Sequence, residues 1–194
     1  MRLFIIIVIV CGFIFSCAHV PQDIPQLYTA YNIWAYRNLD DMRCINYKSS
    51  NHFIKAGTPV SDLKIIKVRN TDKIFFKTEG NEFTISFYPR YHPGKTVRDY
   101  KKMMFTTKTF NQLSQGMSKN EISAIKRGVL EEGMSKRAVL VSYGYPPEHK
   151  TFSLEDNIWI YWMNKFKSKK ICFNDNEKTI RCNKMKRKRR NKTL

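Results

Sequence analysis

Hydrophobic and polar positions change rhythm several times along this chain. Residues 3–15 (LFIIIVIVCGFIF) are apolar without a break, behind a single basic residue, Arg2. The run stops at Ser16 and Cys17 and gives way to a polar stretch carrying Pro21 and Pro25. From about residue 43 to 89, short apolar runs alternate with turn residues. Candidate strands fall at 53–54, 56–60, 63–68, 73–78 (KIFFKT) and 82–88 (EFTISFY). In the last, Phe83, Ile85 and Phe87 share one face while Thr84 and Ser86 share the other. Four or five strands in so short a stretch predict a small barrel or curled sheet, with a rhythm resembling SH3-like barrels.

The period then lengthens to that of a helix. Residues 96–105 predict a linking helix with Val97, Tyr100 and Met104 along one side. Ser118-Lys119-Asn120-Glu121 spells a capping box, opening a short helix with Ile122 and Ile125 that Gly128 stops. A further helix over 135–143 places Ala138, Val139 and Val141 in a core and ends at Gly144, where a positive φ is expected. Strand candidates return at 158–163, 170–174 and 178–182. Gly-Met-Ser-Lys occurs at 116–119 and again at 133–136, which predicts two helix starts with one cap chemistry rather than a solenoid repeat.

A basic start, an apolar stretch short of the roughly 20 residues that span a bilayer, and small residues at its exit describe a secretory signal. Ile14-Phe15-Ser16-Cys17 also resembles the bacterial lipobox. That resemblance implies cleavage between Ser16 and Cys17 and a covalent lipid on Cys17, with no other cofactor. Each buried methylene of such chains contributes about 0.8 kcal/mol, enough in sum to hold a protein at a membrane. Two other readings of the same residues stand beside it. Ser16-Cys17-Ala18 fits an ordinary small-x-small cleavage site, leaving a soluble chain from His19, and an uncleaved anchor is the other. Ala18 in place of Asp after the cysteine implies, by resemblance to enterobacterial lipoproteins, outer-membrane retention.

Composition adds charge to this picture. Thirteen phenylalanines and ten tyrosines suffice for packed cores. The formal charge of +19 favours anionic partners. Behind an export signal these are phospholipid head groups, lipopolysaccharide phosphates or acidic protein faces, and not nucleic acid. With Cys11 and Cys17 set aside, Cys44, Cys172 and Cys182 are odd in number. A hairpin turning at Asp175-Asn176 sets Thr179 opposite Cys172, so register argues against a Cys172–Cys182 bridge. Neither a C-x-x-C nor a Cys/His cluster occurs, so no metal site is expected. His19, His52, His92 and His149 are scattered, and Glu131-Glu132 stand at a helix boundary with no evident partner. With no G-x-S-x-G, glycine-rich phosphate loop or H-E-x-x-H, the chain reads as a binding protein rather than an enzyme.

Gly133-Met134-Ser135-Lys136, Val139, Gly144-Tyr145-Pro146-Pro147, Trp159-Ile160-Tyr161 and Ile171-Cys172-Phe173 follow one another in an order that resembles the BamE/SmpA/OmlA outer-membrane lipoproteins. The likeness covers about residues 128–182 and implies two helices packed on a three-stranded antiparallel sheet. It also implies an envelope location and a role accessory to outer-membrane protein assembly or envelope integrity. About 85 residues precede the motif, resembling a longer branch that carries a small barrel in front. The expected fold is therefore α+β: signal peptide 1–16, tether 17–42, SH3-like barrel 43–90, linking helix 91–115, BamE-like domain 116–182 and a basic disordered tail 183–194. A cell-wall or lipid-ligand module, with the barrel as its binding domain, is the alternative function.

Candidate contact residues follow from this layout. Trp159 and Tyr161 point at the helices as core, and Trp162 points the opposite way, where the barrel or a partner would cover it. Tyr145 and Pro147 are loop candidates for partner contact. In the tail, Lys184, Lys186, Arg187, Lys188, Arg189, Arg190 and Lys192 form a run without an acidic residue, a candidate contact for anionic lipid or lipopolysaccharide.

Overall fold

Strict alternation along residues 71–78 buries Ile74, Phe76 and Thr78 on one face, and this strand lies near the middle of the principal sheet. The computed structural model describes residues 25–183. The first part of these forms β1 (Leu27–Thr29), β2 (Ile33–Trp34), β3 (Met42–Arg43), β4 (Phe53–Ile54), β5 (Pro59–Val68), β6 (Thr71–Thr78) and β7 (Asn81–Ser86). Then come α1 (Val97–Met104), β8 (Phe105–Thr106), α2 (Phe110–Leu113), α3 (Lys119–Arg127) and α4 (Lys136–Tyr143). The last elements are β9 (Ile158–Trp162), β10 (Ser168–Phe173) and β11 (Thr179–Ile180). The chain is thus a mixed α+β protein.

The principal sheet is curled and runs β3-β7-β6-β5-β1-β8, antiparallel except for the β3–β7 pair. Its two tight turns, Arg69-Asn70 and Glu79-Gly80, take positive φ at both residues, as two-residue hairpins prefer. A register shift between Ser61 and Lys64, with Asp62 at φ 52°, marks a bulge that bends β5. Thr96 and Asp99 cap α1 reciprocally, and its buried stripe of Val97, Tyr100 and Met104 closes the first core as the spacing predicts.

The second core lies between α3, α4 and an antiparallel sheet ordered β11-β10-β9. Trp159 and Tyr161 are fully buried there with Phe173, Ile125 and Val139. Each such aromatic contributes on the order of 2 kcal/mol by leaving water. Gly128 ends α3 in the left-handed conformation and Gly144 ends α4 at φ 75°. A Cβ on Gly144 would come within 2.7 Å of the Tyr31 ring, so that position is closed to side chains twice over.

Both helix starts depend on one carboxylate. Ser118 accepts from the amide of Glu121, and Glu121 Oε2 accepts from the amide of Ser118 in return. Its other oxygen accepts from the amide of Ser135 at 2.7 Å, and from Lys178 at 3.3 Å. Burial pushes this carboxyl upward, but the hydrogen bonds from Ser118 and Ser135 outweigh it and pull the group down to about 2.

The observed fold departs from the expected layout in three places. Residues 27–35, placed by composition within a tether, are built into the body. β1 pairs with both β5 and β8, and Tyr31, Ile33 and Ala35 enter the first core while Trp34 enters the second. Polar residues along this seam are satisfied inside. Asn32 donates to the Ile125 carbonyl and accepts from Ala56, while Asn46 accepts from the Trp34 amide and donates to the Tyr143 carbonyl. Cys172 and Cys182 form a disulfide, against the register argument. Ile180 stands opposite Cys172, so the bridge is diagonal: past β11 the chain leans back until the Cα atoms are 5.2 Å apart. Glu131 and Glu132 also have partners, Arg127 at 2.6 Å and Arg181 at 2.5 Å.

Candidate functional site

Beyond Gly144 the chain turns at Pro146 and leaves Tyr145 at the surface, 40 % exposed and edge-on to Tyr31. Two concavities of about 420 and 390 Å³ adjoin at this ring and at Met103. The first is walled by Lys102, Phe105, Lys108, Arg137 and Leu140, and no carboxylate lines it. The second is walled by Tyr100, Pro146, Phe152 and Leu154, with a Lys95–Glu148 ion pair at 3.2 Å along its side. Phe152 is 88 % exposed. One end of the groove is cationic, and the other mixes apolar rings with an ion pair.

Local structure fixes these walls. The buried stripe of α1 faces inward, which turns Lys102 and Met103 toward the groove. Arg137 donates to the carbonyls of Leu113 at 2.6 Å and Gln115 at 2.8 Å, capping the end of α2 and holding its charge at the wall. No histidine, cysteine or serine lines either half. The cationic half suits an anionic group.

The sequence candidates are distributed unevenly around this groove. Tyr145 lies at its centre. Pro147 is buried and is not a contact residue: its carbonyl accepts from Lys150 and Thr151, tightening a loop that Thr151 pins to β9 by accepting from Ile160. Trp162 does face away from the helices, but its cover is that same loop. Its indole donates to His149 Nε2 at 3.3 Å, and Lys150 lies 5.3 Å from its ring centroid. Burial, and then the neighbouring Lys150 charge, push His149 down. Ser16 and Cys17, and Lys184, Lys186, Arg187, Lys188, Arg189, Arg190 and Lys192, lie outside the described residues.

Lys102, Lys108 and Arg137 escaped sequence reasoning because they lie far apart in the chain, in α1, in the β8–α2 loop and in α4. Lys48 was missed as well. Its buried ammonium donates to the Asn46 carbonyl and lies 5.4 Å from the Tyr143 ring and 5.6 Å from the Tyr161 ring. Burial pushes its pKa well down. The chain itself fills this aromatic box, so Lys48 joins the two cores rather than presenting a site. Among the described residues, no cluster of three or more His, Cys, Asp or Glu is placed to hold a metal ion. No helix among them is long and apolar enough to cross a membrane. No family model, curated protein or solved structure matches this chain.

Proposed function

We propose that this chain is an exported, lipid-anchored protein of the bacterial cell envelope that acts by binding and not by catalysis. The groove at Tyr145 carries the reading, being cationic at one end and lined by exposed aromatic and aliphatic side chains beside an ion pair at the other. The Cys172–Cys182 disulfide supports export, since such bridges persist in oxidising compartments. We read the curled sheet as SH3-like and the α3-α4-β9-β10-β11 unit as BamE-like, in keeping with the motif order around Gly133, Gly144 and Trp159. On that basis the protein sits at the outer membrane facing the periplasm, with its lipid on Cys17. There it serves as an accessory of outer-membrane protein assembly or envelope integrity, while the basic tail adds an anionic-surface contact.

A second reading, a lipid-ligand or cell-wall module, is favoured by the amphiphilic groove lining, with the site at the junction of the two cores rather than inside the barrel. Purification from detergent-solubilised envelopes, with Tyr145→Ala as control, separates the two. A protein complex lost in the variant supports the first and co-purified lipid or glycan the second; neither one would remove the binding role. Export and anchoring are tested apart from binding. Fatty-acid labelling should be abolished in Cys17→Ser, and an unlabelled wild-type chain starting at His19 would end the lipid-anchored reading.

A further inference from the structure

β9 and β10 are joined by residues 163–167, Met-Asn-Lys-Phe-Lys, and the turn is held in one shape by its own hydrogen bonds. Asn164 Oδ1 accepts from the amides of Phe166 and Lys167, both at 2.9 Å, and the Met163 amide donates to the Lys167 carbonyl at 2.8 Å. This fixed turn leaves Phe166 83 % exposed. The Lys165 ammonium lies 4.7 Å from its ring centroid, and Lys167 follows directly. One step below the turn, at the last β9 pair, Trp162 carries Lys150 over its ring. None of the ion pairs among the described residues involves Lys150, Lys165 or Lys167.

We propose that this hairpin tip is a membrane-contact site: Phe166 enters the head-group region of an anionic phospholipid bilayer while Lys165, Lys167 and Lys150 meet lipid phosphates. Three features favour a bilayer over a protein partner. The tip protrudes rather than forming a groove, so a protein would have to supply a matching pocket, whereas a bilayer opens around a single ring. Aromatic side chains are favoured at the depth of the head groups, and flanking lysines can keep their ammonium groups at phosphate level. With no carboxylate among the described residues paired to them, these lysines leave their positive field open to that surface. The turn is already ordered, so docking fixes little further backbone freedom.

The inference takes its biological setting from the lipid-anchored reading, but its test is independent of the anchor. The full chain carrying Phe166→Trp is reconstituted with vesicles of brominated phosphatidylcholine, with and without phosphatidylglycerol. Phe166→Trp should be quenched in the anionic vesicles well beyond wild type, whose Trp34 and Trp159 are buried and whose Trp162 is half-buried. Adding Lys165→Gln or Lys167→Gln should weaken the quenched population at low salt, by about fivefold per lysine. Quenching no greater than wild type, or equal in neutral vesicles, overturns the proposal. All variants carry the same anchor, and fatty-acid labelling of the same preparations reports on that anchor separately.

Discussion

The two Gly-Met-Ser-Lys segments enter their helices along nearly the same backbone, yet their surroundings have little in common. Ser118 and Ser135 share φ and ψ within a few degrees, at −69° and 159° against −70° and 156°. The first copy is self-sufficient, since its own Glu121 closes the capping box. The second has Ala138 where the box needs a carboxylate, and the amide of Ser135 takes Glu121 from the first copy instead. Met117 is half-buried while Met134 is buried, its amide donating to the Thr179 hydroxyl on β11 and its carbonyl accepting from the Thr179 amide. Lys119 is exposed, whereas Lys136 is only 9 % exposed, lies over Trp159 and Phe173, and reaches Glu177 at 3.4 Å. A four-residue word therefore specifies how a helix begins, and the wider fold decides how much depends on it.

Removing the shared carboxylate should break both starts at once. Glu121→Ala is expected to cost on the order of 3 kcal/mol, a fall of about 9 °C in Tm. Its pH signature is distinctive because the folded carboxyl lies near 2 against an ordinary value of 4.5. The stability it contributes is complete above 4.5 and is lost as pH falls through 2. Denaturant melts at neutral and acid pH should show wild type converging on the variant, and parallel curves would rule out the sharing. Next in size, Lys136→Ala should cost about 2 kcal/mol while Lys119→Ala stays within about 0.5. Lys136→Met should recover most of that loss, because the stem packs on the rings; a variant no better than alanine would assign the effect to charge. Smallest is the pair Ser118→Ala and Ser135→Ala, each expected to cost about 1 kcal/mol by chemical denaturation. A large difference between them would show that the two caps are not equivalent even locally.

These segments also show what the sequence made legible. The caps, the stops at Gly128 and Gly144, and the alternation of Trp159 with Tyr161 are local signals, and each describes an observed feature. Loan of Glu121 across 14 residues was not legible, because nothing in a capping pattern says which other helix start lies within reach. Residues 31–35 misled for a related reason: both faces are buried, so apolar side chains do not alternate with exposed ones, and Asn32 gives a linker-like polarity. The Cys172–Cys182 bridge was hidden by reading register only straight across. The groove was least legible of all, since residues 30, 102, 108, 137 and 145 meet only after both cores have formed.

The seam at residues 30–35 bears on the timing of folding. Ala30 donates to the Met104 carbonyl, Asn32 to the Val141 carbonyl, and the Trp34 indole to the Ser142 carbonyl at 3.2 Å. Residues 32 and 34 therefore close on partners more than a hundred residues further along the chain. Such distant closures slow folding, and they leave residues 30–35 without these partners until the stretch around residue 142 has been made. The seam is therefore a late event: it cannot lock until residues 141 and 142 are in place beside it.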